Sequence, residues 1–376
     1  MERAVIETFD YLRPEVYPHF VQSETIYDRN LPVIRELQRR QLPLSLLPDK
    51  KGWPRLGKPK SLQEAFGMLS AFFKGNVYLF KVAKSSQILY ASSLYGASFN
   101  LLAALHLRIN GRRVIHHFHD LNRSNILPLR IWSWLVTDFV HNTEFGYEAM
   151  IHLHPYLRRK RNVVIPCIVD TEMLCSTDGS DLVPPSGRNL FYVGQVSRHK
   201  GVDLLLEAFG RVASQHENAV LHIVGSCAQD FKDEFDRLCA TPSLAGRVKH
   251  WGFRSDALRL LGSAYLYIQP SPPSRFHESF GRSVVEAMSL RVPVICFKSG
   301  ALQEIVVDGV TGLHCDESSA ALASAIQLML GNEGLRNCYG QRGFERYEKL
   351  YSKDNLRARW LEFLLPVPVT DRSAWA

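Results

Sequence analysis

Runs of four to seven apolar and β-branched residues alternate with longer stretches whose apolar positions recur at helical spacing, so strands and helices take turns along the chain. The alternation is cleanest in the second half. NLFYVG (189–194), AVLHIVG (219–225), RVKHWG (247–252), YLYIQPS (265–271), VPVICF (292–297) and TGLHC (311–315) read as strands. VDLLLEAFGRVASQH (202–216), DFKDEFDRLCA (230–240), SDALRLLGSA (255–264), GRSVVEAMSL (281–290) and SSAALASAIQLML (318–330) read as helices, and ALQEIVV (301–307) as a helix-like turn. Ser255 stands where a helix N-cap belongs. Repeats of about 25 to 30 residues are the size of βαβ units, and a parallel sheet is expected.

The first half follows the same plan. RAVIETF (3–9), LPLSLL (42–47), ILYAS (88–92), RRVIHHFHD (112–120), DFVHNT (138–143) and NVVIP (162–166) are expected strands. Residues 24–40, 98–109, 127–136 and 144–159 are expected helices, and a basic segment with Gly and Pro, 48–60, interrupts them. Residues 171–188, rich in Ser, Thr, Gly and Asp with Pro184 and Pro185, have the composition of a linker. A chain of 376 residues is long enough for two domains. The expected division is 1–170, the linker 171–188, 189–345, and a helical tail 346–376. Open parallel sheets bind ligands beyond the carboxyl ends of their strands, so two α/β domains facing each other across a cleft are expected.

Apolar residues at 46 % and charged residues at 22 % are ordinary for a globular chain. No apolar run approaches the roughly 18 residues of a membrane-spanning helix. The segment MERAVIETFDYLRPE lacks a signal-peptide core. A cytoplasmic protein, at most peripheral to a membrane, is expected. Seven cysteines form no CxxC pair, which favours free thiols over zinc or disulfides. The net charge of +8 is uneven: residues 1–180 hold 23 basic and 16 acidic side chains, residues 181–376 hold 22 and 21. Clusters at Arg35 to Arg40, Lys50 to Lys60 and Arg158 to Arg161 suit an anionic membrane surface or a lipid-phosphate acceptor. A solvated charged face accounts for the same clusters. Nucleic acid is disfavoured, because no aromatic platforms interleave the charges.

Three places carry candidate chemistry. In FYVGQVSRHKG (191–201), Gly194 ends a strand where backbone approaches a ligand, and Arg198 and Lys200 offer charge to a diphosphate. Solvated loop cations are the plainer alternative. In RFHESFGRSVVEAM (275–288), Glu278 sits in a loop before a helix that starts near Gly281. The amides of Phe280, Gly281 and Arg282 would then form an anion site. Glu286, on a helix otherwise apolar around it, is placed to accept a pair of ribose hydroxyls. A macrodipole contact for Glu278 and a structural ion pair for Glu286 are the alternatives. In VIHHFHD (114–120), His117 and His119 share one strand face, and His119 lies nearer the strand end. They offer hydrogen bonds to a sugar, or are core histidines satisfied internally. No metal-ligand spacing supports a metal site, and no GxGxxG loop supports a dinucleotide site.

Taken together, GQVSRHKG (194–201), HESFGRSVVEAMSLRVPVI (277–295) and SGALQEIVVDGVTGL (299–313) resemble the retaining glycosyltransferases of family GT4, which have the GT-B fold. Glu278 and Glu286, with seven residues between them, match that family's glutamate pair. The resemblance implies a nucleoside diphosphate sugar as donor, UDP- or GDP-linked, with no tightly bound cofactor and no required metal. It implies that Lys200, with Gly194, Gln195 and Arg198, holds the diphosphate beside Phe280, Gly281 and Arg282, and that Glu286 holds the ribose. Gly225, Trp251, Gly252 and Phe253 would line the base pocket. Gly300, Ala301 and Leu302 would border the sugar or diphosphate. Glu278 and His119 would flank the transferred sugar, and a final helix would cross back to the first domain. The resemblance implies a hydroxyl acceptor, and the basic first half favours a lipid-linked saccharide, as in polysaccharide or lipopolysaccharide assembly, over a small natural product. The chain departs from the family in carrying Gln195 where a basic residue is usual, Ile168 where glycine is usual, and no paired glycines in FDYLRPEVYP. An epimerase or hydrolase on the same architecture, or a nucleotide-sugar-binding protein without catalysis, are the competing readings.

Overall fold

The structure, a computed structural model, describes residues 3–8, 44–46, 77, 80, 84, 86–91, 101–119, 121, 126–169, 183 and 187–364. The expected helix 24–40, the basic segment 48–60 and most of the linker 171–188 lie outside the described residues. The chain divides into two compact units, Met1–Pro166 with Leu356–Ala376, and Cys167–Asn355.

The first unit holds β1 (Arg3–Thr8), β2 (Leu44–Leu46), β3 (Ser86–Ala91), β4 (Arg113–Phe118), β5 (Asp138–His141) and β6 (Arg161–Val164). They form one parallel sheet in the order β2-β1-β3-β4-β5-β6. Helices α1 (Leu101–Ile109), α2 (Ile126–Leu135) and α3 (Glu144–Leu153) make the crossovers from β3 to β6. Strand β4 is buried from Val114 to Phe118 without alternation, as a strand covered on both faces must be. Thr143 caps α3 by accepting the Gly146 amide at 3.0 Å. The expected helix 144–159 is broken: α3 stops at Leu153, and Pro155 opens a tighter turn, Pro155–Arg159. Proline has no amide to continue the ladder.

Asp138, nearly inaccessible, takes the Arg113 guanidinium at 3.1 and 3.2 Å. Arg113 in turn donates to the Phe363 carbonyl at 2.6 Å, and the Phe363 ring lies against Arg113 and Arg161. Arg359 donates to Val164 O at 2.6 Å. These contacts tie the terminal helix, Lys353–Leu364, to the first unit.

In the second unit β7 (Arg188–Val193), β8 (Ala219–Val224), β9 (Val248–Gly252), β10 (Leu266–Gln269), β11 (Val294–Phe297) and β12 (Gly312–Cys315) form a second parallel sheet, ordered β12-β11-β10-β7-β8-β9. Helices α4 (Val202–Ala213), α5 (Lys232–Cys239), α6 (Ala257–Leu261), α7 (Arg282–Ser289), α8 (Leu302–Ile305), α9 (Ser319–Gly331) and α10 (Glu333–Leu350) accompany it. Helix α4 buries Leu205, Leu206, Phe209, Val212 and Ala213, a single stripe at helical spacing, into the core under β7 and β8. A buried phenylalanine such as Phe209 is worth about 3–5 kcal/mol against alanine.

Two expectations need correction here. Helix α6 begins at Ala257 with Asp256 in the cap position, so Ser255 does not hold the cap, and the Asp256 carboxylate binds Arg254 instead. Helix α10 starts at Glu333, well before 346, and belongs to the second unit; the return to the first begins at Leu356.

The topology positions the site. From β7 the chain moves outward to β8 and β9, then returns to the other flank of β7 as β10. The connections after β7 and β10 therefore leave the sheet in opposite directions and open a crevice at their carboxyl ends. No helix among the described residues is long and apolar enough to cross a membrane.

Candidate functional site

The loop after β7 is shaped by backbone contacts. Gly194 N donates to Val224 O at 2.9 Å, and the buried Tyr192 hydroxyl donates to Gln195 O at 2.7 Å. Gly201 has φ +75° and starts α4; a Cβ there would lie 1.9 Å from Pro270 O. Lys200 is therefore pressed against the exit of β10, which only a glycine at 201 permits. Gly225, at φ +146°, would put a Cβ 1.8 Å from Gly194 O. The two strand-end backbones thus meet, and a Cβ on Gly194 would itself lie 2.8 Å from the Tyr192 hydroxyl.

Lys200 and Glu278 meet at the crevice. Lys200 Nζ donates to Glu278 Oε1 at 2.8 Å and lies 3.6 Å from the Phe276 ring centre. The same carboxylate oxygen accepts Ser271 Oγ at 2.6 Å and Gln269 Nε2 at 3.1 Å. Gln269 Nε2 also donates to Ser271 Oγ at 2.9 Å, and Gln269 Oε1 accepts the Tyr267 hydroxyl at 2.6 Å. The reversed amide would face its oxygen to the carboxylate, so this orientation is required. Tyr267 further lies 2.7 Å from Ser283 Oγ, in the first turn of α7. Burial pushes the Tyr267 phenol far above its ordinary range, with Glu286 and Glu278 adding to the shift, so it stays a hydrogen-bond donor. A polar chain thus runs from Lys200 through Glu278, Gln269 and Tyr267 to the start of α7. Tyr267, Gln269, Ser271 and Ser283 were not among the sequence candidates. Their only sequence signal is polar residues in an otherwise apolar strand and helix start.

The backbone of the Glu278 loop is held from two sides. Ala301 N donates to Glu278 O at 2.9 Å and Ser299 Oγ to Phe276 O at 2.7 Å. Arg275 Nη1 donates to the Asp203 carboxylate at 2.7 and 3.0 Å and to Arg198 O at 2.9 Å, which joins this loop to the one carrying Lys200. Ala301 and Leu302 thus spend their amides inside the protein, Leu302 N on Ser299 O at 3.0 Å.

Helix α7 begins at Arg282 after Gly281, which has φ +78° and no side-chain cap. Its first amides are unserved by the helix itself. A Cβ on Gly281 would meet Leu302 Cδ2 at 2.6 Å, so the glycine serves internal packing as well as the αL turn. The Phe280 side chain is buried and lies edge-on to Tyr351. Arg282 Nε lies 2.9 Å from Glu286 Oε1 one turn on, an ion pair whose N–H is not aimed at the carboxylate.

Other expected residues are placed differently. Arg198 turns outward to Glu234 on α5 and is 60 % exposed, and Gln195 is exposed as well. Trp251 donates its indole N–H inward to His222 Nδ1 at 3.1 Å, and Lys249 lies over its ring at 3.9 Å. Gly252 ends β9, and Phe253 beyond it is 55 % exposed. Gly300 has φ +53° in the turn before α8. In the first unit, His117 is a satisfied core histidine, 2.7 Å from Asn142 Oδ1, held well below its ordinary pKa by burial and then by His119. His119 lies just beyond β4, its ring centre 4.2 Å from that of His117. Asp120 lies outside the described residues.

Residues 180–346 match the family model of the glycosyl transferases group 1, a span that contains all of β7 to β12. The chain is similar to the capsular polysaccharide biosynthesis glycosyltransferase CapM of Staphylococcus aureus, 30% identical over 165 residues, 43% of this chain and 41% of CapM. It is similar also to the phosphatidyl-myo-inositol mannosyltransferase of Mycobacterium tuberculosis, 30% identical over 197 residues, 50% of each chain. The chain thus spans about half the length of these curated relatives, 41% and 50%. Among solved structures, Anabaena Alr3699/HepE, solved with UDP and glucose, matches with a TM-score of 0.73 at 19% identity, over 97% of this chain and 99% of that one. That likeness establishes the fold as GT-B, built from two Rossmann-like units.

Proposed function

We propose that this chain is a retaining glycosyltransferase that moves a sugar from a nucleoside diphosphate to a hydroxyl acceptor. The observation that carries the reading is the Lys200–Glu278 pair beside the uncapped start of α7, at the point where the second sheet reverses its strand order.

The hard step is departure of a diphosphate. Charge that develops on its oxygens is met by Lys200 Nζ, by the first amides of α7 and by Arg282 as it leaves Glu286. Glu286, released in that exchange, accepts the ribose hydroxyls. Lys200 keeps one N–H on Glu278 and turns its others to phosphate, so Glu278 orients the cation and borders the transferred sugar. A leaving-group oxygen takes the acceptor proton on the same face, which retains the anomeric configuration without a protein nucleophile. Cationic side chains and amides perform the charge neutralisation that a divalent cation performs in other sites, so no metal is required. The donor is UDP- or GDP-linked, and the acceptor is a lipid-linked saccharide presented at the cytoplasmic face of a membrane.

The test is a thermal-shift screen of UDP- and GDP-sugars, then product mass analysis with an acceptor set. Lys200→Ala and Glu286→Ala are expected to lose donor stabilisation while remaining folded. Unchanged donor binding in both removes this site. Stabilisation by a donor with no transfer to any acceptor identifies a binding protein, and turnover without an acceptor identifies a hydrolase.

A further inference from the structure

In the first unit, α1 and α2 present large apolar side chains on their outer surfaces. Trp134 is 77% exposed, Ile109 75%, Ile131 56% and Leu105 46%. These positions are not stray. Leu105 and Ile109 are one turn apart on α1, opposite the buried Ala103, Ala104 and Leu107. Ile131 and Trp134 are likewise one turn apart on α2, while Leu129 and Trp132 face the core. Strands β3, β4 and β5 are parallel neighbours in sequence order, and right-handed crossovers put both helices on the same side of the sheet. The ends of the two helices converge on Lys160. Its Nζ donates to Trp134 O at 3.4 Å and Val136 O at 2.9 Å, and the charge of Arg108 bears on it.

The same surface is basic. Arg108 and Arg130 are exposed, as are Arg158 and Arg159 in the turn that leads to Lys160. Open tryptophan and isoleucine ringed by cations is the composition of an interfacial surface: the apolar groups enter the headgroup–acyl boundary and the cations meet lipid phosphates. Two copies of so basic a face repel each other, which argues against self-association through it.

We propose that the outer face of α1 and α2 docks on an anionic lipid bilayer, with Trp134, Ile131 and Ile109 inserted and Arg108, Arg130, Arg158 and Arg159 on lipid phosphates. This deepens the membrane-linked acceptor reading above and draws only its purpose from it; the docking has a readout that uses neither donor nor turnover.

The test is co-sedimentation of the full chain with vesicles of phosphatidylcholine and phosphatidylglycerol at two to one, against phosphatidylcholine alone. Binding to the anionic vesicles only, weakened by added salt, is the expected result. Trp134→Ser with Ile131→Ser, and separately Arg108→Glu with Arg130→Glu, should each lower the partition coefficient by about tenfold or more. All four side chains are exposed, so both double variants should melt with the wild type and retain nucleotide-sugar stabilisation. The proposal falls if the wild type ignores anionic vesicles, or if both double variants sediment as it does. It falls also if the chain is a dimer that these substitutions dissociate without any vesicle binding. Loss of vesicle binding with intact donor binding leaves the transferase reading standing; vesicle binding without donor binding removes that reading and keeps this one.

Discussion

Gln269→Leu removes the amide that joins Glu278 to Tyr267 while keeping a side chain of similar bulk in a buried position. Four hydrogen bonds disappear, those to Ser271 at 2.9 Å and Glu278 at 3.1 Å, and those from Tyr267 at 2.6 Å and Ser283 at 3.4 Å. Their partners are not stranded equally. Glu278 keeps Lys200 and Ser271 on the same oxygen, and Tyr267 keeps Ser283 at 2.7 Å. The main loss is one bond to a charged acceptor, about 1.5–3 kcal/mol, with about 1 kcal/mol more for the weakened phenol contact. Extra apolar burial by leucine offsets about 1 kcal/mol. The expected net destabilisation is about 1.5–3 kcal/mol, a fall in melting temperature of about 3–12 °C for a unit of this size. Scanning calorimetry at fixed pH measures it. Gln269→Glu supplies the control, because it sets a second carboxylate beside Glu278. Burial and that neighbour raise the folded pKa of the new acid, so the variant approaches wild-type stability in acid and loses stability as pH rises above about 4.3. A melting temperature for Gln269→Leu within about 1 °C of wild type, or a Gln269→Glu variant indifferent to pH, would refute the network as drawn.

Other outcomes follow from single contacts. Gly201→Ala should cost about 3 kcal/mol or more or prevent folding, since the new Cβ would lie 1.9 Å from Pro270 O; soluble expression and a melting curve decide it. Asp138→Asn should destabilise the first unit by about 2–3 kcal/mol by leaving Arg113 without its charge partner, and should leave nucleotide-sugar binding by the second unit unchanged. Burial lowers the His116 pKa to about 3 and that of His141 to about 4, from 6.5. Folded pKa values below the unfolded one mean that the unfolded chain binds more protons. Stability is therefore complete above pH 6.5 and lost as pH falls through about 4 toward 3. His116→Gln, which keeps an acceptor for Trp132, should flatten that slope in a melting series; an unchanged slope would remove His116 as a contributor.

Much of the architecture is legible in the sequence because it depends on period. Strands β7, β8, β10 and β11 of the second unit are mostly apolar, buried runs, and its longer helices carry a stripe at helical spacing, so α4 and α9 are found within a few residues of their ends. Misjudged boundaries arise where one residue overrides the period. Pro155 stops α3 although the apolar pattern continues, and Asp256 prefers Arg254 to a capping role, which leaves α6 a short turn. The start of α10 is missed for a different reason. Residues 333–345 place Gly334, Gly340 and Gly343 in a helix, against propensity, yet a Cβ at Gly340 would fall 2.2 Å from Arg291 O. Close packing on the turn after α7 selects glycine there, and that reason is tertiary.

The candidate site divides along the same line. Lys200, Glu278, Gly281 and Arg282 stand in loops and at a helix start where charge and glycine are themselves the signal, and Glu286 is an acid among the apolar residues of α7. What holds them is not visible that way. Gln269 and Tyr267 sit in β10, whose four residues are all buried, and nothing in a one-dimensional pattern separates a strand polar group that faces a site from one that is merely tolerated. The distinction appears only when the sheet order sets β7 beside β10 and brings Lys200 to Glu278. A buried carboxylate with three donors on one oxygen cannot drift, and neither can the ammonium bound to it. The cation that would meet a leaving diphosphate is therefore fixed before any ligand arrives, and a fixed charge needs no reorganisation when the bond breaks. That is why the polar chain behind Glu278 matters as much to the proposed chemistry as the residues a sequence can point to.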